Sequence, residues 1–210
     1  MGLIDELINE GILKTPAIIR AFRKIKRRDF VLPENEYAAE ANAPLPIGYG
    51  QTISQPLTVA FMVELLEPSE GDKILDIGSG SGWTTALLAE IVGGKGKVYG
   101  VEIIEGLKKF GEKNVSKYNF IKKRRAEMIL GNGRFGLPQS APFDKILVSA
   151  AAGKIPEELL RELKIGGRLV IPIGEPFGSQ RVMAIDKKSE NKFEEKNFPG
   201  FIFVPLVKGS

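Results

Sequence analysis

The stretch Lys73-Ile74-Leu75-Asp76-Ile77-Gly78-Ser79-Gly80-Ser81-Gly82-Trp83 most constrains what this chain can fold into. An apolar strand carrying Asp76 runs into glycines spaced G-x-G-x-G, and a helical pattern begins at Trp83. Such a turn brings bare backbone up to a ligand at the carboxyl end of a parallel strand and at a helix N-terminus. A second strand, Lys97-Val98-Tyr99-Gly100-Val101, ends on Glu102. An acid about twenty residues past the glycines is placed to accept hydrogen bonds from both hydroxyls of a ribose. The spacing points to a nucleoside cofactor.

The dinucleotide fingerprint is G-x-G-x-x-G, and Gly78, Gly80 and Gly82 depart from it. The altered spacing, the acid before it and Glu102 together resemble the S-adenosylmethionine site of the Rossmann-like methyltransferases. That cofactor has no pyrophosphate but has an amino acid end carrying both charges. Backbone amides near Gly78–Gly82 can receive its carboxylate, and Asp76 lies near its ammonium or orients the loop.

The rest of the chain alternates. Leu3, Ile4, Leu7 and Ile8 make one helical stripe, and Ile18, Ile19, Phe22 and Ile25 another behind a Thr15 N-cap with Pro16 at N1. Arg20, Arg23, Lys24, Lys26, Arg27 and Arg28 read as a solvated helix face. Residues 31–58 are too rich in proline and glycine for long elements, yet concentrate Gln51, Thr52, Ser54 and Gln55. A run like this inside a compact chain is usually functional.

Helices are expected over 58–66, 83–92, 105–117 and 156–163. Strands are expected over 73–77, 97–101, 127–130, 144–149 and 168–173, with antiparallel strands over 180–186 and 201–206. This order predicts an α/β fold with a mostly parallel central sheet, antiparallel strands at its C-terminal edge and helices on both faces. No linker splits the 210 residues, so one domain is expected: N-terminal helices and loop (1–57), core (58–175) and C-terminal strands (176–210).

The chain contains no cysteine and no histidine. Disulfides, a Cys nucleophile, a His base and His/Cys metal sites are therefore excluded, and no metal is expected. No apolar run approaches the roughly 20 residues that span a bilayer, and the N-terminus carries no signal-peptide core, so a cytoplasmic protein is expected. The net charge of +4 allows nucleic-acid binding without requiring it.

A specific likeness then emerges. Gly48-Tyr49-Gly50-Gln51-Thr52-Ile53-Ser54-Gln55-Pro56 resembles the signature loop of the protein-L-isoaspartate O-methyltransferase family. Leu75–Gly82 resembles its cofactor loop, 141–152 and 166–174 its fourth and fifth strands, and Phe203-Val204-Pro205-Leu206 its last. The resemblance implies a Rossmann-like class I methyltransferase that uses S-adenosylmethionine, releases S-adenosylhomocysteine, and repairs proteins by methylating the α-carboxylate of L-isoaspartyl residues.

The resemblance implies that the Ser54 hydroxyl aims that carboxylate and that Thr52 and Ile53 line the same crevice. It places Asp76, Gly78, Ser79, Gly80, Gly82, Glu102, Ile103, Gly131, Asn132 and Gly133 around the cofactor. Asn132 stands where the family usually has Asp near the adenine, and its amide oxygen can accept the same bond without the charge. Val204, Pro205 and Leu206 are implied to hold the extended substrate. The competing reading of Ser54 is a turn hydroxyl capping the helix that starts near Thr58.

A carboxylate substrate needs no general base, which suits a chain without histidine. The partners expected are damaged proteins and peptides, met by a monomer, with no membrane and no nucleic acid. Three other readings stand beside this one: a methyltransferase acting on RNA or a small molecule, a non-catalytic module that keeps the cofactor fold, and a nicotinamide-dependent dehydrogenase.

Overall fold

The computed structural model describes residues 2–175 and 178–206. Two helices open the chain, α1 (Leu3–Asn9) and α2 (Pro16–Lys24). A hairpin of β1 (Leu45–Gly48) and β2 (Gln51–Ile53) leads into α3 (Pro56–Leu66). The alternating part follows as β3 (Lys73–Ile77), α4 (Trp83–Val92), β4 (Lys97–Glu102), α5 (Glu105–Ser116), β5 (Ala126–Leu130), β6 (Phe143–Val148), α6 (Glu157–Glu162) and β7 (Leu163–Gly174). Strands β8 (Gln180–Ser189) and β9 (Lys192–Phe201) complete it.

Seven strands form one sheet in the order β5-β4-β3-β6-β7-β8-β9. Strands β3 to β7 pair in parallel, and β8 and β9 add antiparallel. The sequence order reverses at β3, which lies between β4 and β6. A crevice at the carboxyl ends of the strands is expected at such a switch point. Alternate residues of each strand enter opposite cores. Ile74, Val98, Leu147 and Val170 face the side carrying α2 to α5, while Leu75, Ile77, Val101, Ile146 and Leu169 face the side carrying α6. The helices are thus on both faces, but unevenly. Among the described residues no helix is long and apolar enough to cross a membrane.

The start of β7 differs from the sequence reading by five residues. Strand β7 begins at Leu163, where the helix ends, and runs through Gly166-Gly167 instead of starting after them. Gly166 has φ +83° and the register against β6 shifts there, so the glycines form an irregularity inside a strand rather than a stop.

The expected strand over 201–206 is overturned. The last strand is β9, Lys192–Phe201, an edge strand exposed at most positions on both faces. Burial on neither face leaves no alternation to read, which is why this charged stretch was missed. After β9 the chain turns over the carboxyl ends of the sheet. Val204 O accepts from Ala151 N at 2.8 Å, and Leu206 N donates to Ala151 O at 2.8 Å.

Thr15 stands at the N-cap of α2 as expected, but its side chain does not cap that helix. Glu64 of α3 does the work from a distance. It accepts from Lys14 N at 2.8 Å, Thr15 N at 2.9 Å and Thr15 Oγ1 at 2.7 Å. One carboxylate therefore satisfies the start of α2 and ties it to α3. Glu64→Ala is expected to lower stability by about 1–2 kcal/mol, read as a lower urea midpoint with an unchanged m-value.

Candidate active site

The glycine turn is held on three sides. Gly78 N and Ser79 N donate to Val101 O at 2.9 and 3.2 Å, and Gly82 N donates to Ser79 O at 2.8 Å. Gly82 has φ +83°, and a Cβ there would come within 2.7 Å of Val115 Cγ2 and 2.9 Å of Gly111 O. A Cβ on Gly111 would in turn come within 2.7 Å of Gly80 O. The turn and α5 thus meet backbone to backbone. Gly111 was missed from sequence, although a lone glycine inside a helical pattern was the available signal.

Glu102 is buried at the end of β4, with 6% exposure. Its Oε2 accepts from Gly80 N at 2.9 Å and its Oε1 from Ile104 N at 2.9 Å. Two backbone donors from two different loops fix the carboxylate, and each oxygen keeps a lone pair for a hydroxyl.

Asp76 is fully buried. Its Oδ2 accepts from Thr84 Oγ1 at 2.9 Å and Thr85 Oγ1 at 2.6 Å, while Oδ1 has no partner. Burial pushes its carboxyl up to about 6, against the lowering effect of the two hydroxyls and with a smaller push from Glu102. The side chain ties β3 to the first turn of α4, so of the two placements expected for Asp76 the structure favours loop orientation. The threonine pair that holds it was not singled out in the sequence.

A cleft opens at the carboxyl ends of β3, β4 and β6. It brings together Thr52, Ile53, Ser54, Gly78, Ser79, Gly80, Glu102, Ile103, Gly131, Asn132, Gly133, Val204, Pro205 and Leu206. Of the residues named from sequence, Asp76 and Gly82 are not on its wall and stand behind it. Ile47, Trp83, Leu107 and Ala150 also line the cleft and were not foreseen.

Ser79 lines the cleft, but its hydroxyl is turned into the protein, buried and without a partner among the described residues. Asn132 Oδ1 accepts from Arg134 N at 3.1 Å, capping a short 3-10 turn and leaving that oxygen one further lone pair. The cap of α3 is Gln55, without a side-chain bond. Among the described residues the Ser54 hydroxyl makes no hydrogen bond within the protein, so the capping reading of Ser54 fails.

The basic cluster is not uniformly solvated. Arg20, Arg23, Lys24, Lys26 and Arg28 are exposed, but Arg27 is 4% exposed. Its Nη1 donates to Ala39 O and Ala41 O, each at 3.1 Å. Its Nη2 donates to Ala43 O at 2.7 Å and Ser54 O at 3.1 Å. The guanidinium also lies 5.5 Å from the centre of the Trp83 ring. Burial pushes its pKa down to about 10, with Glu40 opposing, and it stays charged at neutral pH. Composition could not separate this arginine from its neighbours.

The sequence matches the protein-L-isoaspartate(D-aspartate) O-methyltransferase (PCMT) family over residues 1–210. The chain belongs to this family. It is similar to the protein-L-isoaspartate O-methyltransferase of Thermococcus onnurineus, with 44% identity over 97% of this chain and 91% of that one. The enzyme of the same name from Pyrobaculum islandicum is 44% identical over 98% of each chain. Among solved structures, a Plasmodium falciparum protein described as a putative member of the family, in complex with S-adenosyl-L-homocysteine, superposes with a TM-score of 0.86. That match covers 98% of this chain and 96% of the other at 26% identity.

The buried Asp76 carries a pH signature. Its carboxyl is higher in the folded chain than the ordinary 3.8, so its contribution to stability is fully present below about pH 4 and is lost as pH rises through about 6. The loss amounts to about 3 kcal/mol. Urea unfolding of wild type and Asp76→Asn from pH 4 to 8 is expected to give a difference curve that favours the variant increasingly up to about pH 7. A flat difference curve would contradict this placement of Asp76.

Proposed function

We propose that this chain transfers a methyl group from S-adenosylmethionine to the α-carboxylate of L-isoaspartyl residues in damaged proteins and peptides. The observation that carries the reading is one cleft holding both a backbone-fixed Glu102 and the Ser54 hydroxyl, which has no partner among the described residues. The cofactor suits the residues present. Glu102 keeps lone pairs for a ribose on a carboxylate fixed by two backbone donors, and Gly78, Ser79 and Gly80 line the cleft beside it. Ile103, Gly131, Asn132 and Gly133 would flank the base. Bound there, S-adenosylmethionine supplies an electrophilic methyl group on a sulfonium.

The protein's task is then placement. An ionised carboxylate is already a nucleophile and needs no proton removed, in keeping with a cleft built without histidine or cysteine. Ser54 donates to the substrate carboxylate and aims it, while Thr52 and Ile53 close the crevice on one side. Val204, Pro205 and Leu206 also line the cleft and hold the extended chain beside Ser54. Enclosure by Ile47, Val59 and Leu107 limits competing water. A backbone amide nitrogen of the substrate then attacks the methyl ester and expels methanol, closing a succinimide, and water opens part of that to normal aspartate.

The same reading covers the partners. Three of the five exposed bases of α2 and its exit are matched by acids, Arg23 with Asp5, Lys24 with Glu90 and Arg28 with Glu36. This local pairing supports protein rather than nucleic-acid substrates. We place the chain in the cytoplasm as a monomer, with N-terminal helices, core and C-terminal strands acting as one catalytic unit.

The test is methyl transfer from labelled S-adenosylmethionine to two peptides of equal composition, one with L-isoaspartate and one with L-aspartate. Base-labile label in the first alone is expected. Transfer to neither, with cofactor bound, would move the search to RNA or small-molecule acceptors. Ser54→Ala is expected to lower turnover roughly 10²-fold with cofactor affinity kept.

A further inference from the structure

We propose that Arg27 is a positioning residue for methyl transfer: its buried guanidinium clamps the base of the β1–β2 hairpin and so sets the orientation of Ser54. The inference rests on the activity proposed above, and goes beyond it to a residue outside the cleft wall.

The clamp is geometric. Nη2 donates to Ala43 O at 2.7 Å and to Ser54 O at 3.1 Å, which lie on the two chains entering and leaving the hairpin. The first ladder pair inside that point is Leu45 with Ile53. Nη1 holds the approach to the hairpin through Ala39 O and Ala41 O. Both terminal nitrogens donate twice, and only Nε has no partner. An arginine offers these donors in one rigid plane, whereas a lysine has three donors around one point and cannot serve four separated carbonyls.

Ile47 and Ile53 bury in the core, Asn35 Nδ2 donates to Pro46 O at 3.1 Å, and Asn42 Oδ1 accepts from Leu57 N at 3.0 Å, but Arg27 is the side chain that bonds both feet of the hairpin at once. Its strands are four and three residues long, and a register irregularity lies between Pro46 and Gly48. A two-stranded hairpin of this size is marginal alone. With the Ser54 carbonyl fixed, the direction in which its side chain leaves the backbone is fixed too. Arg27 lies over Trp83, which lines the cleft floor, so the clamp is braced on the element that follows the glycine turn. The cofactor half of the cleft depends on Glu102 and α5 instead. Loss of the clamp should therefore affect transfer and spare cofactor affinity.

The experiment compares wild type, Arg27→Met and Arg27→Lys, the last keeping the charge should the first not fold. Three readouts are taken: S-adenosylhomocysteine affinity by calorimetry, kcat and KM on an isoaspartyl peptide, and amide exchange across residues 39–54. The expected result is affinity within roughly threefold of wild type and kcat reduced roughly 30-fold or more, with KM changed far less. Amide protection should fall at the hairpin and stay elsewhere. Unchanged kcat in a folded variant would overturn the proposal, as would parallel losses of cofactor affinity and kcat. Failure of wild type to methylate the isoaspartyl peptide would instead overturn the proposed activity. The exchange readout needs no turnover and still tests the clamp.

Discussion

The cleft depends on one buried carboxylate. Glu102 stands at the end of β4 with 6% exposure, and a buried polar group is costly unless its hydrogen bonds are made. It finds two backbone N–H groups, one from the glycine turn after β3 and one from the start of α5. Those bonds join the ends of two adjacent strands and set the distance between two loops. The contact of Gly82 with Gly111 closes the same junction from behind. The rigidity of the cofactor half thus follows from a carboxylate that has nowhere else to go.

The other half of the cleft is built differently. Residues 39–54 form no sheet with the core, and the small β1–β2 hairpin projects over the glycine turn, with Ile47 within reach of a Cβ on Gly80. Charge again does the holding, now with opposite sign. Arg27 gathers carbonyls where Glu102 gathers amides. Each turns irregular backbone, which would be costly to bury unsatisfied, into a fixed wall.

What could be read from sequence follows physical contrast. Strands β3 and β4 and helix α4 were legible to within a residue, because apolar runs meet glycines abruptly there. Glu102, Gly78 and Gly80 were legible from their types and spacing, Ser54 and Asn132 through the family resemblance, and all five line one cleft. Strand β9 was not, since an edge exposed on both faces has no periodicity. Arg27 was not, since its burial depends on carbonyls supplied up to 27 residues away. Asp76 was read as part of the cofactor site, yet its partners are Thr84 and Thr85, and only the fold reveals which side of the strand it faces.

The outer strand β9 has a consequence for a protein proposed to handle extended chains. Any open sheet edge invites a passing peptide to add as another strand. On β9 the exposed Lys192, Glu194, Glu195 and Lys196 put both signs of charge along that edge, and Pro199 removes a backbone donor from it. A visiting chain is thus discouraged from docking at the flank of the sheet. An edge of this kind guards the sheet against being lengthened by the chains around it.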